Sequence, residues 1–160
     1  MEIWVQVRGK VRGLSKQRAA RDARRVLSVL GLSDAQLSLV LADDEEMAKI
    51  NELFLGRKGP TNVIAFSQLE GEGSPVNPNL LGDIVISVDT CRRESTEAAV
   101  SFHGRFLQLL VHGVLHLLGY EHEAGGEQAR AMEAEERRIL SCLGPTSIHM
   151  HGTRGVGGGR

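Results

Sequence analysis

From Phe102 to Leu118 the chain is apolar on nearly every side, apart from one stripe of Arg105, Gln108, His112 and His116 at helical spacing. A helix with so much apolar surface packs inside a protein. Each unpaired polar group on a buried helix costs roughly a few kcal/mol, so the stripe lines a cleft or binds a ligand. The rest of the fold has to be built around that helix.

The flanking sequence supplies strands and further helices. Ile3 to Val7 alternates apolar and polar residues and reads as a strand. Ser15 is placed to cap a helix running to about Leu30, stopped by Gly31, with Ala19, Ala23, Val26, Leu27 and Leu30 on its inner face. Leu37 to Leu41 is a second strand. Asp43 then caps a helix from about Asp44 to Phe54. Asp43, Asp44, Glu45 and Glu46 are read as helix-start residues favoured by the helix dipole, in preference to metal ligands.

A loop spans Gly56 to Pro60, Val63 to Phe66 is a short strand, and Gln68 to Asn79 reads as a long loop of the kind that is often functional. Leu80 to Val88 is almost wholly apolar and reads as a central strand. Helix is expected from about Asp89 to Leu118, broken near Ser101 and ended by Gly119, and again from Gln128 to Leu143. Residues 1–144 are read as one domain and the glycine-rich residues 145–160 as a disordered tail.

Composition narrows the class. A chain of 160 residues suits one domain, and with aromatics at 4% its core is built from aliphatic side chains. No segment reaches the roughly 20 apolar residues of a membrane span. Two widely separated cysteines, Cys91 and Cys142, argue for a reducing compartment, and the chain is read as cytoplasmic. Net charge is −1, yet Arg8 to Arg25 holds eight basic residues against the single acid Asp22. Such asymmetry marks either an anion-binding surface or a solvated helix face.

The chemistry concentrates in His112-Gly113-Val114-Leu115-His116-Leu117-Leu118-Gly119-Tyr120-Glu121-His122. Histidines four apart on a helix point the same way, one turn apart. Gly119 permits a positive φ, letting the chain leave the helix and bring His122 back as a third ligand. Three protein ligands with one open position is the catalytic arrangement for zinc. Three imidazoles also suit nickel, copper or cobalt. His103, near the opposite face of the helix, is read as structural or exposed. Metzincin proteases share the histidine spacing but carry a Glu after the first histidine as general base. Gly113 stands there in this chain, which disfavours peptide hydrolysis by that route.

The segment as a whole resembles the YbeY family, whose signature H-G-x-L-H-L-x-G-Y-D-H it matches throughout, except that Glu121 replaces Asp. Asn51 and Phe54 are similar to the family's N-x-x-[FY] pattern. Pro60 to Ser67 resembles its P-T-D-V-L-S-F segment, with Asn62 for Asp and Ala65 for Ser. Leu81 to Ser87 resembles its L-G-D-I-x-I-S strand, and Met132-Glu133, Glu136 and Leu143-Gly144 its final helix. Two departures stand out. Leu55 occupies the place of an arginine implicated in activity, with Arg57 two residues on as a candidate substitute. Arg105 occupies the place of a usual Glu.

The resemblance implies an α+β, zincin-like fold: a mixed sheet of about four strands packed with helices, with the metal site at the end of a central helix. It implies one zinc ion held by His112, His116 and His122. The implied activity is endonucleolytic cleavage of single-stranded RNA in small-subunit rRNA 3′-end maturation and ribosome quality control. The implied partners are the rRNA precursor, the ribosome or its small subunit, a small-subunit protein and an assembly GTPase. Arg57 or Arg105 would offset phosphate charge, and Glu121 is a candidate general base or orienting residue. Asp83, at the start of the fourth strand, is read as a structural turn residue in preference to a place in the cleft. Thr61 and Asn62 sit just ahead of a strand and are read either as residues that approach substrate or as ordinary turn residues. Two other readings remain open at this stage: a ribosome-assembly factor with a structural metal, and a metal-dependent hydrolase of another substrate.

Overall fold

The computed structural model describes residues 1–68, 77–121 and 125–144. Most of the expected long loop, His122 and the expected tail lie outside these residues. The described part is α+β. The elements, in chain order, are β1 (Glu2–Arg8), α1 (Lys16–Val29), β2 (Gln36–Ala42), α2 (Asp44–Leu55), β3 (Val63–Ser67), β4 (Leu80–Ser87), α3 (Val88–Ala98), α4 (Phe102–Leu117) and α5 (Gly126–Leu143).

The strands form a four-stranded mixed sheet in the order β1-β2-β4-β3. The pairs β1–β2 and β2–β4 are parallel, and β3 runs antiparallel along β4. The apolar run of β4 therefore lies inside the sheet, as its composition predicted, and β3 forms an edge. Alternation along the strands divides the core between the two faces. Leu37, Leu39, Leu41, Ile84 and Ile86 pack with residues of α1, α4 and α5. Val40, Ala42, Ile64 and Val85 meet Met47 and Ile50 of α2 on the other face. As expected, α4 is almost entirely buried, with Phe106, Leu110, Val114 and Leu117 inaccessible to solvent.

Most helix starts are set by side-chain caps. Ser15 accepts from Arg18 N–H at 3.1 Å and Ser101 from Gly104 N–H at 2.9 Å, each satisfying a donor that has no partner within the helix. The Ser101 cap, with Ala99 in the left-handed region at φ 59°, divides the expected long helix into α3 and α4. Val88 opens α3 and is not the end of a strand. The start of α5 lies at Gly126, two residues before the expected Gln128, and has no side-chain cap.

The acidic start of α2 has two structural tasks. Asp43 accepts from Lys10 N–H at 2.8 Å and Glu46 N–H at 2.9 Å, and these bonds hold its carboxyl below the usual carboxylate range. Asp44 reaches across to α3. One of its oxygens accepts from Ser87 Oγ and Thr90 Oγ1, both at 2.7 Å, and the other accepts from Arg93 at 2.7 Å. Partial burial alone would raise its pKa, but these donors outweigh it and the net shift is downward.

Cys91 and Cys142 are both unpaired, the first buried and the second exposed. Burial pushes the Cys91 thiol up to about 12. With a thiol reagent at about pH 8, one thiol per native chain is expected to react promptly, and the other only after unfolding. Equal reaction of both in the native protein would contradict this packing. Among the described residues no helix is long and apolar enough to cross a membrane.

Candidate metal centre and active-site cleft

His112 and His116 lie on the edge of α4 that faces a cleft of about 600 Å³. β3 forms the opposite wall, and the turn after α2 forms the rim. Their rings meet edge to face with centroids 4.6 Å apart, and the two Nε2 atoms are separated by 3.1 Å. Two nitrogen ligands on a tetrahedral zinc, each at about 2.0–2.1 Å, lie a little over 3 Å from each other. The histidine pair therefore fits a shared metal ion in both donor chemistry and spacing. Among the described residues no three His, Cys, Asp or Glu side chains converge on one point. The third expected ligand, His122, lies outside them. Gly119 does leave the helix at φ 101° beyond His116, as the sequence predicted.

Close packing of α4 on the sheet fixes the histidine edge. A Cβ added at Gly113 would sit 3.1 Å from two carbons of Ile84, so a side chain there would require Ile84 to give way by a few tenths of an ångström. At the end of the helix, Ser67 Oγ donates to Leu117 O at 3.1 Å and ties α4 to β3.

Arg57, Leu55, Thr61, Asn62 and Glu121 all line the same cleft as the two histidines. Arg57 sits in the turn after α2, which Asn51 holds. Asn51 Nδ2 donates to Gly59 O at 2.9 Å, and its backbone carbonyl accepts from Arg57 N–H at 3.3 Å. The motif match singled out Asn51 but gave it no task, and the structure shows it anchoring the loop that carries Arg57.

Arg105 is placed differently. Its guanidinium donates to Glu94 at 2.8 and 3.0 Å and to Gln108 at 2.8 Å, and Asn62 Nδ2 reaches the same Glu94 carboxylate at 3.2 Å. It lines a neighbouring cavity that shares His112 and Asn62 with the cleft. Its charge is already matched, so Arg57 is the better placed of the two cations to meet a phosphate. Asp83 lies within β4, opposite Ser38 and Phe66, inside the strand read for Leu80 to Val88, and is paired on both sides where a turn role was expected of it. His103 bonds the buried Asp22 carboxylate at 2.8 Å, which bears out its structural reading.

One residue of the site was named in the final-helix motif match but given no role. Glu136 on α5 accepts from His112 Nδ1–H at 2.6 Å. Its signal in the sequence was faint: an acid on the same helical face as Met132, Ile139 and Leu143.

The profile of the endoribonuclease YbeY family matches residues 5–144 of the chain. The chain belongs to this family. Among its relatives, the endoribonuclease YbeY of Geobacter metallireducens is 43% identical over 144 residues, covering 89% of this chain and 96% of the relative. The protein of that name from Syntrophotalea carbinolica is 44% identical over 142 residues, covering 88% and 95%. That from Aquifex aeolicus is 37% identical over 139 residues, covering 87% and 91%. Among solved structures, the solution structure of TM1509 from Thermotoga maritima superimposes with a TM-score of 0.62. The match covers 87% of this chain and 88% of that one at 20% identity, and supports the YbeY-type fold.

Proposed function

We propose that this protein is a zinc-dependent endoribonuclease that cuts single-stranded RNA during maturation of the small-subunit rRNA 3′ end. Its substrate in this reading is the rRNA precursor, and its partners are the ribosome or its small subunit and an assembly GTPase. The observation that carries the reading is the convergence of His112 and His116 Nε2 at 3.1 Å on a cleft that also holds an arginine and a carboxylate. Membership of a family named for endoribonuclease activity supplies the substrate class.

In this reading His112, His116 and His122 hold the ion, with residues 1–144 forming one hydrolase domain. When bound, the metal supplies Lewis acidity for phosphodiester cleavage. The chain's own residues do the remainder. Arg57 is exposed at the rim and forms no salt bridge among the described residues, so its charge is available to a phosphate. It binds the scissile phosphate and offsets the charge that grows on the non-bridging oxygens. Glu121, lining the cleft beyond His116, takes the proton of the attacking oxygen. Thr61 and Asn62 border the path of the strand. On α1, the exposed Arg18, Arg21 and Arg24 add contacts to RNA backbone that carry no sequence preference.

Purified protein with zinc is expected to cleave an unstructured RNA oligonucleotide and to leave peptides intact. Cleavage of peptides and not RNA would overturn the nuclease reading. Arg57→Ala is expected to lower kcat/KM on RNA by about 10²–10³-fold, the effect of losing one preorganised charge at a developing oxyanion. A rate within about twofold of wild type would remove Arg57 from the mechanism.

A further inference from the structure

Four residues of α5, Met132, Glu136, Ile139 and Leu143, recur at helical spacing and share one face. Three of them are buried apolar side chains packed into the main core. The fourth is a carboxylate. An acid on an inward-facing stripe loses hydration and needs a partner. For Glu136 that partner is His112 Nδ1–H, 2.6 Å away on α4. The adjacent Glu135 has a different fate: it pairs at the surface with Arg138 at 2.8 Å. Docking of α5 therefore delivers one specific carboxylate to one specific imidazole.

We propose that Glu136 is a positioning residue for the metal centre, an inference that rests on the metal-binding reading above. By accepting the Nδ1 proton, it fixes the His112 tautomer and ring orientation. Nε2 is then the unprotonated, electron-pair-bearing nitrogen, 3.1 Å from His116 Nε2. A carboxylate behind a ligating histidine also makes the imidazole a stronger donor. Metal affinity is thereby coupled to the seating of α5 on α4, although α5 touches the ion only through His112.

The test uses the full chain, stripped of metal and titrated with zinc against a chromophoric chelator. Glu136→Ala is expected to bind zinc about 10–100-fold more weakly than wild type. Glu136→Gln keeps the shape and an acceptor oxygen but not the charge, and is expected to fall between the two. Should Glu136→Ala fail to fold, Glu136→Gln carries the comparison. Glu135→Ala, which breaks only the surface pair with Arg138, is expected to leave zinc affinity unchanged.

A second readout needs no metal. In long-range proton–nitrogen spectra at about pH 8, where an ordinary imidazole is neutral, wild-type His112 is expected as the Nδ1–H tautomer. In Glu136→Ala that preference is expected to be lost. A purely structural role would lower the melting temperature without changing zinc affinity or tautomer. Zinc binding by Glu136→Ala as tight as wild type would overturn this inference alone. Failure of wild type to bind zinc would overturn it together with the metal reading.

Discussion

His116→Ala is expected to lower RNA cleavage by about 10³-fold or more, because in the proposed mechanism it removes a metal ligand and with it several kcal/mol of charge stabilisation at the phosphate. The same substitution is expected to change stability by about 1 kcal/mol or less, a shift of about 2–4 °C in melting temperature. The structural reason is location. His116 faces the cleft and is half-buried, whereas its helix neighbours Leu115 and Leu117 are buried and carry the packing of α4. Parallel assays of cleavage and thermal unfolding separate the two effects. Loss of fold along with activity would mean that the histidine edge is part of the core.

Stability is expected to suffer most at Gly82. Along β2 and β4 the register passes from Gln36 opposite Leu80 to Leu37 opposite Gly82, so Leu81 is an extra residue in β4. Gly82 takes up the distortion at φ 145°, a conformation that residues with a Cβ rarely adopt. There is also no space for a side chain. An added Cβ would lie 2.1 Å from the Phe66 carbonyl oxygen and 3.0 Å from Leu117. The Phe66 carbonyl belongs to β3, the strand that walls the cleft and ties down the end of α4 through Ser67. Gly82→Ala is therefore expected to cost about 3 kcal/mol or more, lowering the urea midpoint by about 1–2 M.

Gly56 provides the comparison. It too is left-handed, at φ 67°, but an added Cβ there meets nothing within 4 Å. Gly56→Ala is expected to cost only the backbone penalty of about 1–2 kcal/mol. Equal effects at the two glycines would contradict the close approach of β3 to β4.

Local signals in the sequence translated well into structure. Ser15, Asp43 and Ser101 are helix starts because short polar side chains satisfy free N–H groups, a chemistry contained within four residues. The nearly all-apolar run of β4 marked an internal strand because both its faces are covered. The Gly119 turn and the same-side histidines followed from helix geometry alone.

Longer-range pairings were a different matter. Glu136 reaches His112 across 24 positions, a contact that exists only after α5 docks on α4. The neutralisation of Arg105 by Glu94 likewise depends on how α3 packs against α4. The antiparallel edge position of β3 had no local signature either, since a short, mostly apolar run of five residues suits either direction. Asp83 was placed in the right strand but given a turn role, because an acid near the start of a strand resembles a turn residue until its neighbours pair on both sides.

The central claim is that this cleft cuts RNA through a metal held by the α4 histidines. The most direct test is cleavage of a single-stranded RNA by the full chain, first stripped of metal with a chelator and then restored with zinc. The account predicts that stripping abolishes cleavage, that zinc restores it, and that His116→Ala stays inactive at every zinc concentration. Cleavage that survives chelation, or that persists in His116→Ala, would contradict it.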